Sequence, residues 1–247
     1  MNKFIVVIPA RMKSKRLLGK PLIKINGVPM VIRTFNQCAK AVAKKFLYIA
    51  TDSLKIKRVC NQYGANVVMT SKKCLTGTDR VAEVSKKINS KLYINVQGDE
   101  PIFNPNDLKK LINLSLKNPK EIISGYSKIS QERMYNDLNV PKFVLDKNNY
   151  LLYATRAPVP SNKKGIFKSS YRQICAYSFP KDTLNFFYKF KKKTFLENIE
   201  DIELLRFIEN GMKVKCIKMS GNSLAVDNSF DLNLVTRIIN KNKKLYE

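Results

Sequence analysis

The sequence predicts an α/β fold: a mostly parallel central sheet with helices on both faces, and a smaller β-rich insertion over about residues 126–179. Three observations predict it. Short runs rich in Ile, Val and Tyr alternate with longer stretches whose apolar residues recur at helical spacing. In the middle of the chain this rhythm gives way to strand-like pieces alone. The length, 247 residues, suits one domain with a sizeable insertion.

Taken in order, strands are expected at 4–8, 46–50, 67–69 and 92–96, each followed by a helix, at 30–43, 53–63, 78–88 and 106–116. The last helix shows the pattern clearly in Leu108, Leu111, Ile112 and Leu114. Repeated β-α-β makes the strands parallel and covers both faces of the sheet. Ligands of such sheets bind beyond the carboxyl ends of the strands, so chemistry is expected in the loops after Ile8, Ala50 and Val96. Strand-like pieces follow at 143–146, 150–156 and 173–179, the first two joined by a hairpin turn through Asp146, Lys147, Asn148 and Asn149. Helical spacing returns at 180–190 and 197–209, with Gly211 as a stop, then a strand at 214–217 and a last helix at 229–240.

Composition removes several classes of chemistry. There is no histidine, which excludes His-based nucleophile activation and His-ligated zinc. Catalysis must rest on carboxylates, Lys, Arg, backbone amides or a hard metal. The five cysteines are scattered without a C-x-x-C pair, so neither a disulfide framework nor a zinc ribbon is expected. No apolar run approaches the roughly 18 residues that span a bilayer, and the chain opens on an Ile/Val-rich strand, so a cytoplasmic protein without membrane insertion is expected. The net charge of +27 would fit a nucleic-acid ligand, but the lysines recur in pairs along the whole chain and form no basic tail. We expect no nucleic-acid partner, and a positive field that draws in anionic substrates.

Three segments carry candidate chemistry. Residues 9–21 follow the first strand with Arg11, Lys13, Ser14, Lys15, Arg16 and Lys20 around Gly19, a set able to surround a triphosphate, although neither Walker A nor G-x-G-x-x-G order is present. Residues 95–101 end an apolar strand with Gln97-Gly98-Asp99-Glu100, where Asp99 is placed to ligate Mg²⁺. Residues 225–229 contain Asp227 just before the last helix, where local sequence favours a helix cap over a second metal ligand.

Together with IPARMKSKRLLGKPL, INGVPMVIRT, ATD, VMT with TGTDRVAEV, INVQGDEP, YATRAPVP, RQICAYSF, LENIEDIELLRF and VDNSFDL, these segments resemble the 3-deoxy-manno-octulosonate (Kdo) cytidylyltransferase family over nearly the whole chain. The resemblance implies a nucleotide-diphospho-sugar transferase fold whose β-rich part covers the sugar and forms a homodimer contact. It also implies CMP transfer from CTP to Kdo, an acidic keto-sugar, for lipopolysaccharide synthesis. By resemblance, Arg11, Ser14, Arg16 and Lys20 hold phosphates, with Lys20 and Arg16 balancing charge on the leaving pyrophosphate. Thr78, Arg80 and Gln97 meet the nucleotide, and Arg156, Gln173, Tyr177, Glu200 and Glu203 lie near the sugar. Asp99 and Asp227 become metal ligands, which overrides the cap reading of Asp227; one Mg²⁺ gathers the triphosphate and the ion shared by these aspartates activates the attacking hydroxyl.

The chain departs from the family at Gln173 and Asn198, where histidines are usual, and at Ser223-Leu224-Ala225, where Gly-Thr-Gly is common. Another 3-deoxy-2-keto acid, an amino-octulosonate or a nonulosonate, therefore stays open as substrate. A glycosyltransferase would need a D-x-D segment, which is missing, and an RNA-binding protein would release no pyrophosphate from CTP.

Overall fold

A computed structural model describes residues 2–13 and 17–246. Ser14 and Arg16, both expected at the phosphates, lie outside the described residues. The strands are β1 (Asn2–Ala10), β2 (Lys24–Ile25), β3 (Val28–Pro29), β4 (Leu47–Thr51), β5 (Asn66–Met69), β6 (Ser90–Val96), β7 (Ile122–Lys128), β8 (Lys142–Leu145), β9 (Leu151–Thr155), β10 (Tyr171–Pro180) and β11 (Val214–Lys218). The helices are α1 (Met30–Ala39), α2 (Leu54–Gln62), α3 (Gly77–Lys87), α4 (Pro105–Lys117), α5 (Glu132–Asn136), α6 (Lys181–Tyr188), α7 (Phe195–Glu200), α8 (Leu205–Ile208), α9 (Ser229–Lys241) and α10 (Lys243–Tyr246).

The main sheet runs β11-β7-β10-β6-β1-β4-β5. Neighbours are parallel except where β10 runs antiparallel to β6 and β7. Both faces are covered, as the unbroken apolar run of β1 requires. Ile5 and Val7 point into a core with Val81 and Val84 of α3 and Leu184 and Phe187 of α6. Val6 and Ile8 point into the opposite core with Val31, Ile32 and Phe35 of α1 and Leu108 and Leu111 of α4. Each such side chain, fully buried, contributes roughly 1.5–3 kcal/mol.

The middle of the chain divides differently from the sequence reading. Only β8 and β9 leave the main path. Asp146 closes their hairpin, its Oδ1 accepting from the amides of Asn148 and Tyr150, with Asn149 at a left-handed φ of 62°. β10 is a member of the central sheet: its first residues pair with β8 while 176–180 pair with β6, the register shifting between Ile174 and Tyr177.

The single helix expected over 197–209 is two short helices. Asp201, at φ 52°, ends α7 in the left-handed region and turns the chain before α8. Side-chain demands on either side explain the break: Glu200 accepts from Thr155 and Arg156, whereas Glu203 accepts from Thr78 and Gln97. One straight helix would put 200 and 203 on neighbouring positions of one face.

Candidate active site

A cleft of about 1130 Å³ opens beyond the carboxyl ends of β1 and β6, where the topology predicts a ligand. β1 and its loop supply Pro9, Ala10, Arg11 and Lys13; the turn after β6 supplies Gln97, Gly98 and Asp99. The start of α3 adds Gly77 and Arg80, and the insertion side adds Leu138, Asn139 and Arg156.

Lys20 stands at the centre of the charged end. Gly19, in the left-handed region at φ 65°, turns the chain into a short helical turn, Lys20–Leu22, that aims the lysine inward. Its Nζ lies 2.5 Å from Oδ2 of Asp99 and 3.2 Å from Oδ1 of Asp227, and donates to the carbonyl of Val226 at 3.0 Å. Burial works to lower the Lys20 pKa, but the two carboxylates outweigh it and hold the ammonium above its ordinary range.

Asp99 reaches this point because the turn after β6 passes through Gly98, where a Cβ would stand 2.6 Å from the carbonyl oxygen of Pro9. Asp227 arrives from the far end of the chain. The cap that local sequence assigns to it belongs to Asn228, whose side chain accepts from the Asp231 amide while Asp231 answers back in a capping box. The amide of Val226 donates to the Asp99 carbonyl at 2.9 Å, which sets the two aspartates side by side.

At the other end of the cleft Arg80 is buried, paired with Asp52 at 2.9 Å and donating to Thr70 at 2.6 Å. Arg11 lines the wall and donates to the Leu75 carbonyl. Under the floor, Gln97 donates to Glu203 at 2.9 Å, and the amide of Thr78 donates to the same carboxylate. Burial raises the Glu203 pKa more than the Thr78 amide lowers it. On the insertion side, Glu200 accepts from Thr155 at 2.6 Å and from the Arg156 amide at 2.8 Å. Arg156 in turn donates through Nε to the Glu200 carbonyl and through Nη1 to that of Leu138.

Lys20, Asp99, Asp227, Arg11, Arg80, Gln97 and Arg156 therefore share one cleft. Thr78, Glu200 and Glu203 stand behind its lining, in contact with lining residues. Gln173 and Tyr177 do not line it; both are buried and bonded to each other at 2.8 Å.

Sequence reasoning misses two supporting residues. Asp52, the partner of Arg80, ends the matched ATD segment at a strand's carboxyl end, a position that signals it. Lys142 is fully buried and donates to the carbonyls of Asp137 and Arg156, tying two parts of the cleft wall together. Nothing local separates it from the other lysines.

Two carboxylates, Asp99 and Asp227, gathered on the Lys20 ammonium beside basic groups at the carboxyl end of a mostly parallel sheet are the layout of a nucleotide-handling transferase. The cytidylyltransferase family profile matches residues 5–214, and the chain belongs to that family. It is similar to two proteins named 3-deoxy-manno-octulosonate cytidylyltransferase. That of Chlorobium phaeobacteroides is 34% identical over 96% of this chain and 97% of its own length. That of Chloroherpeton thalassium is 35% identical over 98% of this chain and 100% of its own. The structure of a CMP:2-keto-3-deoxy-manno-octonic acid synthetase complexed with CTP matches with a TM-score of 0.88 at 27% identity, over 97% of this chain and 99% of that one. Among the described residues, no helix is long and apolar enough to cross a membrane.

Proposed function

We infer that the protein joins CMP, taken from CTP, to 3-deoxy-manno-octulosonate and releases pyrophosphate. The observation that carries the reading is the convergence of Asp99 and Asp227 on one ammonium at the cleft's charged end, in a chain so similar to enzymes of that name. The sugar's anomeric hydroxyl attacks the α-phosphorus in line; the new C–O–P link forms as the bond to the β-phosphate oxygen breaks, and the hydroxyl proton passes to solvent or phosphate.

The chain's own groups act by position and charge. Lys20, kept protonated by its two carboxylates, offers a cation to the triphosphate as phosphate oxygens displace Asp99 and Asp227 from it. Arg11, and Arg16 from the same loop, add positive charge for the phosphates. Arg156 presents a planar guanidinium to the sugar acid's carboxylate. We assign Mg²⁺ to Asp99 and Asp227, because two convergent carboxylates with room for phosphate oxygens and waters match the way that ion is held. Bound there, it would lower the pKa of the attacking hydroxyl and neutralise phosphate charge. The same reading makes the enzyme a cytoplasmic homodimer that activates the sugar for lipopolysaccharide assembly.

Pyrophosphate release measured over a panel of nucleotides and acidic keto-sugars tests the reading. CTP with Kdo should exceed every other pair, and Asp99→Asn should remove most turnover while the fold is kept. Preference for an amino-octulosonate or a nonulosonate would replace the sugar assignment, and near-normal turnover of Asp99→Asn would remove the metal assignment.

A further inference from the structure

The segment from 219 to 228, between β11 and α9, brings Asp227 to the site without any helix or strand of its own. Its backbone polar groups must be held by other means, and they are. The amide and hydroxyl of Ser220 donate to Asp107 of α4. One guanidinium nitrogen, Nη2 of Arg172 on β10, donates to the carbonyls of both Gly221 and Ser223, each at 2.8 Å. The hydroxyl of Ser223 donates to Glu100, the neighbour of Asp99. The Val226 amide then closes on the Asp99 carbonyl.

Arg172, Ser223 and Glu100 are 7%, 1% and 2% exposed, so this is an internal knot. It has one charged donor, one carboxylate and two carbonyls. Arg172 and Glu100 are joined through Ser223, and taking such polar groups out of water is a poor source of stability when well-packed apolar side chains fill the same space equally well. What this set does that apolar side chains cannot is hold two carbonyls of an irregular segment with the two N–H bonds of one planar nitrogen, whose directions are fixed. It also ties that segment to the turn at the end of β6. Gly221, at φ 79°, bends the chain directly over Ser127, where even a methyl group would come within 3.2 Å, so the segment has little room to find another path.

We propose that Arg172 is a positioning residue for the two-carboxylate site: its grip on the Gly221 and Ser223 carbonyls, completed by the Ser223–Glu100 bond, sets where Asp227 stands against Asp99. The inference rests on the reading that these aspartates hold a divalent cation. Loss of the grip leaves Asp99 in place just beyond a paired strand, keeps the Val226–Asp99 and Asp227–Asp231 bonds, and loosens the chain that leads into Asp227. The effect therefore falls on cation affinity and not on the sheet.

Mn²⁺ binding followed by electron paramagnetic resonance, with CTP present, reads this directly. CTP affinity in chelator and amide exchange over 221–227 in the metal-free protein are read alongside. Arg172→Met with Glu100→Gln, which leaves no unpaired buried charge, should weaken Mn²⁺ binding on the order of tenfold, the usual effect of removing an outer-shell support. Exchange over 221–227 should rise while CTP affinity in chelator stays that of the wild type. Ser223→Ala should shift Mn²⁺ binding the same way by less, and Ser223→Thr, which keeps the hydroxyl, should restore it. Should the double variant fail to fold, Arg172→Lys keeps a charge but replaces the planar nitrogen, with its two N–H bonds in fixed directions, by a rotatable ammonium on a shorter side chain, and weakening in the same direction is expected. Wild-type Mn²⁺ affinity in these variants, with Asp227→Asn weakened, overturns the inference alone. Wild-type affinity in Asp227→Asn removes the metal reading and the inference with it.

Discussion

The side-chain amide of Gln97 donates to Oε1 of Glu203 across 2.9 Å, and Gly77 packs directly on that amide. A Cβ at 77 would stand 2.4 Å from Nε2 of Gln97. The amide is the far end of a flexible side chain, so Gly77→Ala should be accommodated by Gln97 swinging away from Glu203. Loss of one such bond is worth about 1 kcal/mol, and alanine at the first helical position offsets part of the fold's loss. We expect a KM for CTP raised several-fold, because Gln97 is the cleft-lining member of the pair and is assigned to the nucleotide, with a melting temperature close to wild type. Steady-state kinetics and thermal melts decide it; a large drop in melting temperature with KM unchanged would contradict the role given to the Gln97–Glu203 pair.

Gly98 gives the opposite result from a similar geometry. The atom facing its missing Cβ is the backbone oxygen of Pro9, at 2.6 Å, and Pro9 is held in register opposite Ala50. That oxygen cannot move without disturbing the β1–β4 ladder, so Gly98→Ala should cost about 1–3 kcal/mol, as overpacking does. Denaturant melts should show it with or without ligands, and an unchanged midpoint would refute the close approach.

The parallel half of the sheet is legible because β1, β4 and β6 each hold a short apolar run (FIVVI, LYIA and LYI) followed by helical spacing. β7 is not, for a packing reason. Its sequence IISGYSK dilutes the apolar signal with small residues where neighbours press close, and a Cβ on Gly125 would stand 2.5 Å from the sulfur of Met219. The candidate site divides in the same way. Asp99 is readable from its place at a strand end. Its meeting with Lys20 and Asp227 depends on contacts between residues 79 and 207 positions apart from Lys20, which no local spacing encodes. Local chemistry even misdirects at Asp227, because Asn228 next to it is an equally good cap and is the one used. Gln173 and Tyr177, assigned by resemblance alone, pair with each other away from the cleft lining.

Arg206 should prove the most costly single side chain to remove. It is fully buried, donates to both oxygens of Glu197 at 2.7 Å and to Asp79 at 2.9 Å, and lies 3.7 Å over the ring of Phe187. Arg206→Met leaves Glu197, itself 0% exposed, without its cation. Breaking a buried pair from one side costs about 3–5 kcal/mol. Arg206→Met with Glu197→Leu should recover part of that loss, because the fully buried pair is then gone, while Asp79 still lacks its cation and α7 loses its capping-box carboxylate. Chemical denaturation of the two variants separates this account from simple loss of packing, under which the double variant would be the less stable.

The pH dependence of stability should carry the mark of Glu203. Burial raises its pKa against the opposing pull of the Thr78 amide, so the folded state keeps a proton that the unfolded chain releases at about 4.3. Between that value and the higher folded pKa, the folded state binds more protons than the unfolded state. Stability contributed by this group therefore falls as pH rises through the window and levels off above it. Glu203→Gln keeps the shape and removes the titration. Melts of ligand-free protein from about pH 4 to about pH 8 should show the variant gaining on the wild type as pH rises through the window. Parallel curves would mean that the Thr78 amide and Gln97 hold the carboxylate charged in the fold.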